Sequence, residues 1–242
     1  MSRTLVVGDI HGGFKALKQV IRKAKVTPQD SLIFLGDFVD GWSESVEVVS
    51  FLIAISKTNP CIFLRGNHDD LCHRWLMYNE KPEQWLLNGG QSAIESYEKI
   101  TKKEKMLHSD FFENMVNFHL DKKNRLFVQA GFQNLNGPEY ELHKTTFFWD
   151  RTLWEMAVAI DKSLSPQDIR YPKRLRLFKE IYIGHTPVTR IGKSTPTQAQ
   201  NVWNMDTGAA FKGPISILDI DTKEFWQSDL VFQLYPEEEG RN

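Results

Sequence analysis

Cysteine is nearly absent from this chain of 242 residues: Cys61 and Cys72 are its two copies, with no CxxC spacing. That excludes a disulfide framework, suits a reducing compartment and reads as two core thiols. No apolar stretch approaches the roughly 20 residues that span a bilayer. The first residues run straight into a strand, without a basic n-region, a long apolar h-region or a small-residue cleavage site. An excess of charge of one sign is also missing. Thirty basic against 31 acidic residues leave a net charge of −1, which removes the electrostatic reason to expect nucleic acid or an anionic membrane as partner. Low-complexity sequence is confined to Glu237-Glu238-Glu239, so residues 236–242 are expected to form a disordered acidic tail. A cytoplasmic protein is the expectation. With 41% hydrophobic residues the chain can bury a full core, here expected as one domain over residues 1–235.

Three short stretches are informative: Gly8-Asp9-Ile10-His11-Gly12, Gly36-Asp37-Phe38-Val39-Asp40-Gly41 and Gly66-Asn67-His68-Asp69. Each follows an apolar run. Thr4 to Val7, Ser31 to Leu35 and Cys61 to Leu64 read as strands, the last opened by Pro60. Between them, Phe14, Leu17, Val20 and Ile21, then Val46, Val49, Phe51, Leu52 and Ile55, recur at helical spacing. A βαβαβ start of this kind implies parallel strands with ligands at their carboxyl ends, where all three stretches lie. Asp, His, Asp, Asn and His at successive strand ends would gather oxygen and nitrogen ligands around a metal pair, pointing to metal-assisted hydrolysis of a phosphate ester.

Residues 70–118 change texture to helical segments rich in Trp, Lys and Glu, broken at Pro82 and at Asn88-Gly89-Gly90, and read as a helical insertion or cap. Ser109 or Asp110 would cap one helix, burying Phe111, Met115 and Phe118. Trp75, Tyr78 and Trp85 either wall a recognition site or pack inside the cap. The second half carries six strand-like runs, Asn117 to Leu120, Leu126 to Ala130, Ile181 to Ile183, Val202 to Met205, Ile215 to Ile220 and Glu224 to Ser228. These are expected to build a second sheet.

With Gln129-Ala130-Gly131, Trp149-Asp150-Arg151, Gly184-His185-Thr186-Pro187 and Asp206-Thr207-Gly208-Ala209, the ordered pattern from Gly8 to Phe211 resembles the calcineurin-like metallophosphoesterases. Within them it is similar to the small bacterial and phage serine/threonine protein phosphatases of the phosphoprotein phosphatase class. The resemblance implies a mixed α/β fold in which two β-sheets pack as a sandwich flanked by helices. It implies two divalent ions, most often Mn²⁺, with Fe, Zn or Mg as alternatives. Asp9, His11 and Asp37 would hold the first, and Asp37, Asn67 and His185 the second. His68 would be the general acid, oriented by Asp40, which would raise its pKa. Arg151, with Asn67, would grip the phosphate. The implied chemistry is in-line attack by a metal-bridging hydroxide. Plainer structural uses compete: Asp9 or Asp37 as helix caps, His11 and His185 as loop residues, Asn67 as a left-handed turn residue, Arg151 in a surface ion pair. Arg65 reads as support for its loop, and His73, His108, His119 and His143 as surface or packing residues.

Three departures from the family pattern stand out. Gln129 occupies the place of a histidine that ligates the second metal, so that site is expected to be weak. Gly41 replaces an arginine at the phosphate, with Lys144 or Arg74 as substitutes from other loops. Asp69 stands where the eukaryotic branch has Glu. The expected substrate is a phosphomonoester, on a phosphoprotein or a small phosphorylated compound. A bis(5′-nucleosyl)-tetraphosphatase, a phosphodiesterase, or a non-catalytic regulatory member with an impaired second metal site are the alternatives. The oligomeric state is not encoded in these motifs.

Overall fold

A computed structural model describes residues 2–161 and 163–241. The first strand, β1 (Thr4–Val7), pairs in parallel with β2 (Ser31–Phe34), and β2 with β3 (Cys61–Phe63), in the registers Leu5 opposite Leu32 and Leu32 opposite Cys61. Their alternation sorts side chains by layer. Leu5, Val7, Leu32 and Phe34 face helices α1 (Phe14–Lys23) and α2 (Ser45–Ile55), whereas Val6 and Ile33 face the other sheet.

That second sheet runs in the order β4-β5-β6-β8-β7, with β4 Phe118–Leu120, β5 Arg125–Val128, β6 Glu180–Ile183, β7 Thr197–Ala199 and β8 Val202–Asn204. Phe127 and Tyr182 stack between the sheets with ring centroids 4.9 Å apart, against Val6, Ile33 and Met205. Leu126, Val128, Ile181 and Ile183 face outward, under a helical layer packed through Phe147, Leu153 and Trp154. The result is a sandwich of two five-stranded mixed sheets with helices on both outer faces.

Two expected strands changed sheet. Ile215 to Ile220 and Glu224 to Ser228 form β9 (Ser216–Asp219) and β10 (Phe225–Gln227), but this hairpin adds antiparallel to β1 in the first sheet rather than to the second. β1 would otherwise expose a hydrogen-bonding edge, and alternation does not say which edge a strand will cover. β7, too short and polar to read from its pattern, takes the vacated place in the second sheet.

The segment after β3 folds into α3 (Asn67–Tyr78), the single turn α4 (Glu83–Trp85), a wide turn over Leu86–Gly90, α5 (Gln91–Glu98) and α6 (Lys102–Glu113). The cap of α6 is Thr101, not Ser109 or Asp110, which lie inside the helix. Thr101 Oγ1 accepts the Glu104 N–H, and Glu104 returns a bond to the Thr101 N–H. Trp75 and Trp85 pack together inside this unit, whereas Tyr78 is exposed.

The acidic tail is docked rather than frayed over its described residues. Glu238 accepts hydrogen bonds from the Ser43 N–H at 2.9 Å and the Ser43 hydroxyl at 2.7 Å, and the Arg241 N–H reaches the Ala210 carbonyl. Donors ahead of α2 give this carboxylate a local partner that the sequence does not advertise. Residues 1 and 242 lie outside the described residues. Among the described residues no helix is long and apolar enough to cross a membrane.

Candidate active site

The loops that leave β1 and β2 bring Asp9, His11 and Asp37 together, each with a ligand atom within 4.8 Å of the others. His11 Nε2 lies 3.8 Å from Asp9 Oδ2 and 3.9 Å from Asp37 Oδ2, too far for hydrogen bonds but suited to a shared cation. All three residues are buried. Burial, followed by the charges of Asp206 and Asp37, raises the Asp9 carboxyl well above the usual range. Burial holds His11 well below its ordinary value, leaving a neutral imidazole. Two buried carboxylates facing a neutral imidazole make a donor set for a divalent cation.

Beside this cluster, His185 Nδ1 and Asn67 Oδ1 are 2.9 Å apart. Gln129 is fully buried, and its Nε2 donates to Asp9 Oδ2 at 3.2 Å. Gln129 Oε1 and His185 Nε2 are buried without a hydrogen-bond partner. Orphaned acceptors of this kind fit a second cation next to the first.

His68, in the first turn of α3, places Nδ1 2.6 Å from Asp40 Oδ2. The same carboxylate oxygen accepts the Trp85 indole N–H at 2.6 Å, so the helical insertion reaches the site. Burial dominates both partners. It pushes Asp40 up to about 8 and His68 down to about 4. Burial thus sets the direction of both shifts, and the pair as a unit still carries one proton near neutral pH.

The backbone of this region is strained. His11, Asp37, Asp40 and His185 all have φ between +50° and +71°, a region that non-glycine residues enter only when their surroundings dictate it. Asp69 supplies part of that constraint, because its carboxylate accepts the N–H groups of Gly66, Asp37 and Phe38 at 2.8–3.0 Å. Two glycines are required by close approach. A Cβ on Gly66 would lie 2.1 Å from Asp37 Oδ1, and one on Gly184 2.1 Å from Asp9 Oδ1. Asn67 is helical and not a left-handed turn residue; Asp9 caps neither α1 nor α2, whereas Asp37 Oδ1 accepts the His68 N–H in the first turn of α3 at 3.0 Å.

These residues floor a cleft of about 230 Å³. Arg151 lines it from the end of the α7 (Thr146–Trp149) loop, donating from Nη1 to Thr186 Oγ1 at 3.2 Å just before α8 (Thr152–Ala159). Burial, with Arg190 and Arg241 nearby, lowers its pKa, so cations crowd this rim. Lys144 and Arg74 do not line the cleft; Lys144 is exposed and Arg74 pairs with Glu80. Arg190 and Arg241 line it and escaped the sequence reading; Asp206, quoted there without a role, and Trp85, named there as wall or packing, line it too. For Asp206 the Asp-Thr-Gly-Ala stretch was the available clue; for Arg190 and Arg241 no local pattern existed. Arg65 supports its loop by bonding the Phe112 carbonyl. His73 and His108 are buried, His119 is half-buried and His143 exposed, all outside the cleft lining.

Comparison with known proteins agrees with this geometry. The calcineurin-like phosphoesterase profile matches residues 2–211, so the chain belongs to that family of metallophosphoesterases. It is 24% identical over 235 residues to the asymmetrical bis(5′-nucleosyl)-tetraphosphatase PrpE of Oceanobacillus iheyensis, covering 91% of this chain and 89% of that protein. A PP2A-like serine/threonine-protein phosphatase, PPG1 of Candida albicans, is 39% identical over 66 residues, 26% of this chain and 16% of the relative. In fold, the chain is similar to a serine/threonine phosphatase of Saccharomyces cerevisiae, with a TM-score of 0.63 at 16% identity, covering 94% of this chain and 80% of the other.

Proposed function

We propose that the cleft hydrolyses a phosphomonoester, on a phosphoserine or phosphothreonine protein or on a small phosphorylated compound. Asp9, His11 and Asp37 hold one divalent ion, and Asp37, Asn67, His185 and Gln129 the second, with Mn²⁺ the favoured metal. The observation that carries this reading is the convergence of Asp9, His11 and Asp37, two of which, His11 and Asp37, line the same cleft as His68, itself bonded to the buried Asp40. Divalent ions held by these residues would supply Lewis-acid stabilisation of the phosphoryl oxygens and a water acidified for in-line attack.

The side chains do the remaining work. Arg151 and Asn67 orient the phosphate, Arg151 through its planar fork of N–H donors. His68 gives a proton to the departing oxygen and regains one from solvent, and Asp40, fixed by Trp85, holds the ring through Nδ1 and stabilises its protonated form. A second reading, cleavage of a dinucleoside polyphosphate, is favoured by Arg190 and Arg241 beside Arg151, since three guanidiniums suit a longer phosphate chain.

A panel with added Mn²⁺ separates the two: p-nitrophenyl phosphate, a phosphothreonine peptide, diadenosine tetraphosphate and a bis-ester. We expect monoester turnover, with His68→Asn lowering kcat about 10²–10⁴-fold on the peptide. The loss is smaller on p-nitrophenyl phosphate, whose leaving group needs little protonation. Preferential cleavage of diadenosine tetraphosphate selects the second reading. No turnover of any compound by folded, Mn²⁺-saturated protein overturns both and leaves the non-catalytic alternative.

A further inference from the structure

The arginine missing at position 41 leaves a gap in the loop after β2, and the structure shows what fills it. Gly41 adopts φ +91°, and a Cβ built there would lie 3.5 Å from Arg241 Cγ. The same Arg241 methylene lies 3.1 Å from where a Cβ on Gly89 would sit, so the side chain crosses both glycines on its way to the cleft. Gly41 and Gly89 meet there, the Gly41 N–H bonding the Gly89 carbonyl at 3.1 Å. Two positions without side chains thus make the channel that admits a side chain from far along the sequence.

We propose that Arg241 is a substrate-binding residue that supplies to the phosphate the guanidinium that Gly41 does not carry.

Arg241 is held at both ends. Its N–H bonds the Ala210 carbonyl at 2.9 Å, Nη2 donates to Asn88 Oδ1 at 3.2 Å, and the guanidinium lies 5.3 Å from the centroid of the Phe211 ring. Glu238, bound to Ser43, anchors the preceding turn of chain. Among the described residues no carboxylate lies within ion-pair distance of Arg241, and its Nε–H is buried without a partner. A fixed guanidinium in a cleft with Arg151 and Arg190, its donors not used up by protein, is organised for an anion. A purely structural role, pinning the tail, would be met by the Asn88 bond and the Phe211 contact alone.

This inference rests on the phosphoesterase reading above, and binding tests it apart from turnover. Inorganic phosphate is titrated calorimetrically into Mn²⁺-loaded wild type, Arg241→Gln, which keeps a donor for Asn88 without the charge, and Arg241→Lys, which keeps the charge without the fork. Phosphate affinity should fall about tenfold or more in Arg241→Gln and by less in Arg241→Lys. In turnover, KM should rise more than kcat falls. Equal phosphate affinity in wild type and Arg241→Gln overturns the proposal, even if the enzyme is active. Should Arg241→Gln not fold, equal affinity in Arg241→Lys and wild type overturns it as well. If wild type cleaves no phosphoester but Arg241→Gln still loses phosphate affinity, the activity is refuted and the role of Arg241 stands.

Discussion

Gln129 shows how much one side chain can set at this site. Its Nε2 is spent on Asp9, and its Oε1 is buried with no donor, which costs about 1–3 kcal/mol unless a cation or water occupies the adjoining space. A carbonyl oxygen is a weaker ligand than imidazole for transition ions and better matched to Mn²⁺ or Mg²⁺. Gln129→His is therefore expected to tighten the second metal about tenfold or more. Metal titration of both proteins checks this, and equal affinity for the second ion would sink the idea. At this scale the sequence was readable where residues follow a strand within a few positions, as for Asp9, His11, Asp37 and Asn67. It was silent on Arg241, which reaches the cleft by crossing two glycines from distant loops.

Among the elements, α6 carries a second titrating group. His108 is buried between Ser50 Oγ, 3.1 Å from Nε2, and the Tyr97 hydroxyl, 3.0 Å from Nδ1, so it ties α6 to α2 and α5. Burial lowers its pKa to about 4. The unfolded chain, with an ordinary value near 6.5, binds more protons between those limits. Stability from this group is complete above about pH 6.5 and is lost as pH falls toward 4, by on the order of 2 kcal/mol. Urea midpoints at pH 7 and pH 5 should differ more for wild type than for His108→Gln; identical differences would remove His108 as the cause. The N-cap of α6 is the reciprocal pair Thr101 and Glu104, at the spacing such caps use, and not the expected Ser109 or Asp110. Placement of α6 over α2 was not legible, because a buried histidine and two hydroxyls look polar in sequence.

For the molecule as a whole, the centre of the sandwich edge concentrates buried negative charge: Asp9, Asp37, Asp40, Asp69 and Asp206 are all nearly inaccessible. Burial raises Asp206 to about 7 and Asp69 to about 8, a sign that the folded chain strains to keep these carboxyls ionised. Divalent cations should relieve this. At a metal concentration about 100 times Kd, each site adds about 2.7 kcal/mol to the folded state. Scanning calorimetry should show Mn²⁺ raising Tm by several degrees and a chelator reversing it, with the rise abolished in Asp37→Asn. An unchanged Tm in wild type at saturating Mn²⁺ refutes the metal centre.

The sequence alone determined the local units: three parallel strand–helix repeats and the loops that carry Asp9, His11, Asp37, Asp40, Asn67 and His68, because strand period and loop chemistry are written within short windows. Only the tertiary structure decided which sheet takes the last hairpin, that Trp85 braces Asp40, and that Arg241 stands above Gly41. Those outcomes depend on edges, gaps and charges that come together only when distant segments pack, and no single stretch of chain carries them.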